Sequence, residues 1–282
     1  MKLVRFGEKG NEKPGALDGN GTLRDLSSVT TDYAGSSVSL EAINALRDVD
    51  LSTLPEVDAS TRLGACLAWV PNFHAIGLNY VKHAHETGLA IPDEPILFSK
   101  ATTSLSGPFD PVIIPKDSTK PDWEVELGIV IGAHTSHVSE ADALSRVAGY
   151  CVVNDVSERA FQIERGGQWV KGKSAPTFGP TGPWLVTADE IPDPQNLALS
   201  LSVNGDVQQN SNTSDMIFGV AEIISYMSRF MDLIPGDLIC TGTPEGVGMG
   251  QSPQRWMAPG DVMELQIEGL GAQRQDVRAF PG

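Results

Sequence analysis

Asp122-Trp123-Glu124-Val125-Glu126-Leu127-Gly128-Ile129-Val130-Ile131 is the stretch on which the reading of the fold turns. Apolar side chains hold the odd positions from Trp123 to Ile131, and Asp122, Glu124 and Glu126 hold alternate ones, the period-two pattern of a strand with two unlike faces. Carboxylates two residues apart on a strand stand roughly 6 to 7 Å from each other. They repel unless water or a cation lies between them. Taken alone, the segment leaves two readings open: a solvated outer face, or half of an oxygen-ligand cage for a hard divalent cation.

Other segments offer the groups that would complete such a cage. Tyr150-Cys151-Val152-Val153-Asn154-Asp155 is a buried-strand pattern ending on an acid, which must be solvated, paired or metal-bound. Three carboxylates (Glu124, Glu126, Asp155) suit Mg2+ or Mn2+ better than zinc, which favours His and Cys. After a short apolar strand, Asn79-Tyr80-Val81-Lys82-His83-Ala84-His85-Glu86 reads as the start of a helix. There His83 and Glu86, at i and i+3, share a face, so the carboxylate can orient an imidazole able to deprotonate water. Thr241-Gly242-Thr243-Pro244-Glu245-Gly246 is a glycine-rich turn whose N–H groups and hydroxyls could hold a carboxylate, and Phe98-Ser99-Lys100 offers a cation at another strand end.

Gly167-Gln168-Trp169-Val170-Lys171-Gly172-Lys173-Ser174 matches the phosphate-loop pattern letter for letter. Its context argues against a nucleotide site. Glu164-Arg165-Gly166 stands where an apolar strand is required, and Pro176 and Gly179-Pro180 fall where the following helix would run. Lys173 keeps its interest as a cation that can neutralise charge developing on a substrate oxygen.

Composition sets the frame. A chain of 282 residues with 40% hydrophobic and 20% charged residues is expected to be an ordinary soluble globular protein. The formal net charge of -16 disfavours nucleic acid and anionic membranes as partners. With neither an 18-residue apolar run nor a signal-peptide pattern, the expected address is cytoplasmic. Cys66, Cys151 and Cys240 are scattered among apolar residues and read as reduced core thiols. Residues 1–68 read as a small N-terminal α+β domain, with a helix over 40–46, and residues 69–282 as a β-rich α+β domain of short apolar runs punctuated by Gly and Pro. Two further helices are expected, over 141–147 and 216–231.

Together these motifs resemble the fumarylacetoacetate hydrolase family. The resemblance runs in order through Gly77-Leu78-Asn79-Tyr80 with His83 and Glu86, Phe98-Ser99-Lys100, Glu124-Val125-Glu126, Asn154-Asp155-Val156-Ser157-Glu158-Arg159 with Gln162, Gly172-Lys173-Ser174, and Thr241 to Gly248, covering roughly residues 70 to 270. It implies a mixed β-sandwich or β-roll catalytic domain, usually homodimeric, with Mg2+ or Mn2+ held by Glu124, Glu126 and Asp155. It implies that His83 and Glu86 activate water, that Lys173 assists the metal, and that Asn79, Tyr80, Lys100, Gln162, Gly242 and Thr243 line the substrate site. One departure is Leu78, where several members of the family carry an Arg able to touch the substrate. The stretch 148–174 is most similar to members acting on 2,4-diketo-3-deoxy sugar acids of the rhamnonate or fuconate type, which makes the expected activity hydrolysis of an acylpyruvate C–C bond. Ureidoglycolate lyase and oxaloacetate decarboxylase activities on the same site remain open, as does a non-catalytic metal- or ligand-binding β domain.

Overall fold

The computed structural model describes residues 1–281. The apolar alternation from Val125 onward becomes the strand Val125–Ile131, in which every residue is buried, not only the apolar ones. Both its faces are covered. The odd-numbered side chains Val125, Leu127, Ile129 and Ile131 pack against Leu199, Leu201, Met263 and Leu265 of a second sheet, while Val130 joins a cluster with Cys151, Val153, Leu238 and residues of the N-terminal stretch. The acids at 124 and 126 are therefore buried in the protein, which decides against the solvated face, one of the two readings the segment alone leaves open.

This strand is central in a ten-stranded sheet. The order across it is Leu23–Asp25, Lys13–Leu17, Lys2–Phe6, Gly179–Thr187, Val147–Asn154, Val125–Ile131, Leu238–Cys240, Phe73–Gly77 and Ile96–Lys100, with Leu105–Ser106 alongside Gly179–Thr187. Most pairs are antiparallel, but Leu238–Cys240 runs parallel to Phe73–Gly77. The N-terminal strands share this sheet through the pairing of Lys2–Phe6 with Gly179–Thr187. The second sheet has five strands, in the order Asp206–Asn212, Ala198–Val203, Val262–Ile267, Gly271–Arg278 and Val112–Ile113. In Ala198–Val203 and Val262–Ile267 buried residues alternate with more exposed ones, as a sheet with one face on the core requires.

The helices are short. Leu40–Arg47 starts at Ser39, whose hydroxyl accepts from the Ala42 N–H. The helix expected over 216–231 occupies only Val220–Met227. Residues 216–218 are used otherwise: Met216 bridges to Tyr80, and the Ile217 and Phe218 amides donate to Asn79. At the far end the Ser228 hydroxyl donates to the Ser225 carbonyl and accepts from the Val138 N–H, holding the chain as it leaves the helix. The helix expected over 141–147 is a four-residue turn, Glu140–Ala143, continued by a 3-10 turn. The phosphate-loop look-alike holds only a helix of four residues, Val170–Lys173, with no strand before it. All three cysteines are free and buried, and among the described residues no helix is long and apolar enough to cross a membrane.

The packing of Leu127 between the sheets predicts a large cost for truncating it. Leu127→Ala is expected to lower unfolding stability by about 2–5 kcal/mol, read from the urea midpoint. A loss below about 1 kcal/mol contradicts the two-sided burial.

Candidate active site and metal centre

Antiparallel pairing of Val125–Ile131 with Val147–Asn154, in the register Val125 to Asn154 and Glu126 to Val153, brings Asp155 next to Glu124. The Asp155 N–H donates to the Glu124 carbonyl over 2.9 Å, and the Asn154 side-chain oxygen accepts from the Glu124 N–H. Strand alternation then aims Glu124, Glu126 and Asp155 at one face. Ligand oxygens from the three lie within 4.8 Å of one another. The residues are 4%, 1% and 0% exposed, so bulk water screens little of their mutual repulsion.

Three cations compensate them. Lys173 Nζ donates to Glu124 Oε2 and to Asp155 Oδ2, each over 2.7 Å. Lys100 Nζ donates to Asp155 Oδ1. Arg159 donates from Nη2 to Glu124 Oε1 over 2.6 Å and from Nε to Asp122 Oδ2 over 2.8 Å. Burial works against ionisation of Glu124, but Lys173 and Arg159 overcome it and hold its carboxyl well below the usual range. For Lys173 burial is likewise outweighed, here by Asp155 and Glu124, and the ammonium is held more firmly than usual. Lys100 goes the other way: burial lowers its pKa, with Asp155 opposing and the Lys173 charge adding to the fall.

Glu126 receives the least compensation. Its Oε2 accepts the Gly242 N–H over 2.8 Å, while burial, Asp155 and Glu124 together push its pKa well above the ordinary value. Gly242 is needed at that position: its φ is +95°, and a Cβ there would lie 2.7 Å from the Asn79 side chain. Three buried carboxylates offering hard oxygen atoms, one of them short of partners, fit a divalent cation of the Mg2+ or Mn2+ kind.

The Val81–Glu86 helix presents His83 and Glu86 together. His83 Nδ1 and Glu86 Oε1 are 2.8 Å apart, and Glu86 Oε2 accepts the Gly246 N–H over 2.8 Å, tying the helix to the 241–250 loop. With Nδ1 so engaged, Nε2 is left to handle a proton. His83 is buried, and the loop that holds its partner Glu86 at Gly246 also supplies the Gly242 N–H to Glu126.

The remaining expected site residues divide by what their side chains already do. Asn79 donates to the Phe218 and Thr241 carbonyls and accepts from the Phe218 N–H, so it joins three segments. The Thr243 hydroxyl donates to the Val125 carbonyl and accepts from Gln209. Gln162 Oε1 accepts from Arg159 Nη1. Tyr80, by contrast, has a buried hydroxyl with no protein partner, and burial followed by Glu126, Asp215 and Glu245 raises its pKa. Two residues in the centre had no role assigned from sequence. Arg159 braces Glu124, and Asp122 accepts from Arg159, from the Gly248 N–H and from the Met249 N–H. An Arg four residues after a strand-ending Asp, and an acid two residues before Glu124, were the available signals.

These features define a β-sheet protein with an acidic centre suited to a divalent cation and a His–Glu pair suited to proton transfer. A family model described as the fumarylacetoacetate (FAA) hydrolase C-terminal domain matches residues 72–278, and the chain belongs to that family. A relative from Burkholderia ambifaria named "Putative hydrolase" is 55% identical over 279 residues, covering 99% of each chain. Among solved structures, a fumarylacetoacetate hydrolase from Exiguobacterium antarcticum aligns with a TM-score of 0.87 at 36% identity, over 99% of this chain and 100% of that one. Maleylpyruvate hydrolase from Sphingobium sp. SYK-6, solved with manganese(II) and pyruvate, aligns with a TM-score of 0.82 at 30% identity over the whole of both chains. A divalent metal is thus present in a solved relative, and this chain is an enzyme of the family with an acidic trio whose geometry could hold one.

The raised pKa of Glu126 gives a signed prediction. In the metal-free protein burial and the neighbouring carboxylates favour the protonated acid more than in an ordinary Glu, so its stabilising contribution is complete below the ordinary Glu range and is lost as pH rises through the elevated native value. Glu126→Gln is expected to raise the Tm of the metal-free protein above pH 7 by a few degrees while weakening Mn2+ binding. Mn2+ uptake by the unmodified protein is expected to release a proton and to strengthen as pH rises. A Glu126→Gln variant less stable than its parent, or metal uptake independent of pH, contradicts this.

Proposed function

We propose that this protein is a divalent-metal-dependent hydrolase of the C–C bond in acylpyruvates, acting on a 2,4-diketo-3-deoxy sugar acid of the rhamnonate or fuconate type to give pyruvate and a hydroxy acid. The observation that carries the reading is the His83–Glu86 pair tied, through the loop carrying Gly242 and Gly246, to the buried trio of Glu124, Glu126 and Asp155. Family membership supports the reaction class, and the manganese and pyruvate in the Sphingobium maleylpyruvate hydrolase support a keto acid bound near a metal. The sugar-acid assignment is supported by the resemblance over residues 148–174.

A cation held by Glu124, Glu126 and Asp155, Mg2+ or Mn2+, would supply Lewis acidity toward the pyruvyl oxygens and lower the energy of the enolate that leaves. The protein's own groups would do the rest. His83 Nε2 takes a proton from water, with Glu86 holding the imidazole through Nδ1 and stabilising its charged form. The resulting hydroxide attacks the C4 carbonyl, the C3–C4 bond breaks, and its electron pair passes to the pyruvyl fragment as an enolate. Lys173 offers positive charge to that fragment. A proton returned to C3 completes pyruvate, and the acyl half leaves as a carboxylic acid.

The same reading carries a cytoplasmic address and assembly as a homodimer. The outward face of the five-stranded sheet, where Val207 and Phe109 are exposed along a groove, is a surface a second copy could cover. Light scattering after gel filtration tests the dimer, with a single-chain mass as the contrary result.

Mg2+-loaded protein is expected to release pyruvate from acylpyruvates, and a chelator to abolish the release. Replacing His83 with Ala is expected to lower kcat by at least ~100-fold with Mn2+ affinity retained. Turnover of ureidoglycolate alone, or of oxaloacetate alone, would overturn the hydrolase reading. Full activity in the His83 variant would remove the imidazole from the chemistry.

A further inference from the structure

The face of the large sheet that carries the acidic trio also carries an aromatic pair that the reaction described above does not use. On Ile96–Lys100 the side chains of Phe98 and Lys100 fall on one face, and Lys100 reaches Asp155. Phe98 lies beside the site's second buried cation, with Lys173 Nζ 5.3 Å from its ring centroid. Trp169 meets Phe98 edge to face, with centroids 5.3 Å apart and planes at 65°. The indole also lies directly on Gly77, the last residue of the strand leading into the His83 helix. A Cβ on Gly77 would fall 2.3 and 2.8 Å from two atoms of its six-membered ring. Two independent contacts therefore fix an indole that is only partly buried, while Gln168 and Val170 on either side of it are exposed.

We propose that Trp169 is the specificity-determining residue of the site, forming with Phe98 the wall against which the acyl end of the substrate lies and selecting short, uncharged acyl groups. The inference rests on the acylpyruvate reading. A substrate anchored by its pyruvyl end at the trio and directed across this sheet face would meet Phe98 first and Trp169 beyond it. Neither ring nor Gly77 brings a charge, and the electron-rich face of an aromatic ring repels a carboxylate. The buried cations beside the wall are engaged: Lys100 with Asp155, and Lys173 with both Glu124 and Asp155. A second carboxylate on the acyl end would have to compete with the site's own acids for Lys100 and Lys173, whereas a methyl-terminated end gains apolar contact.

The test uses the Mg2+-loaded enzyme and three probes: acetylpyruvate, a straight-chain acylpyruvate four carbons longer, and succinylpyruvate. The unmodified enzyme is expected to prefer acetylpyruvate to both others. Trp169→Ala is expected to raise the ratio of kcat/KM for the long probe over acetylpyruvate by about 10-fold or more, the scale of discrimination by an apolar pocket. Mn2+ affinity should be unchanged. Gly77→Ala is the second variant, since its methyl must displace the indole, and it should shift the ratio the same way. In the double variant the Gly77 change should add little, because the three atoms nearest the added methyl all belong to Trp169. Acylpyruvate hydrolysis with a ratio unmoved in both single variants, or a preference for succinylpyruvate in the unmodified enzyme, overturns the wall and leaves the hydrolase reading standing. Failure of the unmodified enzyme to cleave any of the three overturns the hydrolase reading, and the wall with it.

Discussion

Three carboxylates brought together out of water are the constraint around which this structure is arranged. At separations below 5 Å and with almost no exposure, Glu124, Glu126 and Asp155 would drive one another apart without compensation. Lys173 bridges two of them, Lys100 takes the outer oxygen of Asp155, and Arg159 takes the outer oxygen of Glu124. Among the described residues Glu126 accepts from a backbone N–H alone, and burial with Asp155 and Glu124 close by raises its pKa. A buried set of charges of this kind is weak evidence for stability and better evidence for a site that awaits another charge.

The same residues link the centre to the segments that cover it. Arg159 passes from Glu124 to Asp122, and Asp122 in turn holds the Gly248 and Met249 amides. In the same loop the Gly246 amide holds Glu86, which orients His83. The loop that supplies Gly242 to Glu126 is thus hydrogen-bonded both to the strand bearing the acids and to the helix bearing His83. A disturbance at Asp122 would be felt at both, because each contact is directional and at least partly buried.

The sequence made the centre legible because the acids lie in strands with strong period-two patterns, and a strand fixes which side chains share a face. Asp155 could be offered as a partner for Glu124 and Glu126 from the chemistry of a strand-ending acid, but nothing in either segment specifies the register that sets them side by side. The segment alone could not decide between a solvated face and a ligand cage because burial on both sides depends on a sheet assembled from distant segments. The strands Asp206–Asn212 and Gly271–Arg278 were illegible for a related reason. Their inward positions include Gln209, Gln273 and Gln275, polar residues whose hydrogen bonds to Thr243, Val152 and Asn154 are made only after the sheets meet. The helix expected over 216–231 was too long because periodicity carries no sign that residues 216–218 would bond to Asn79 and Tyr80.

The central claim is that a divalent cation is held where the two strands bring their acids together. Anomalous diffraction from crystals of the protein grown with Mn2+ measures this directly. The account predicts one strong peak per chain, within coordination distance of oxygens from Glu124, Glu126 and Asp155, with Lys173 withdrawn from at least one of its two carboxylates. Full occupancy at a different site, with Lys173 still bridging Glu124 and Asp155, would contradict it.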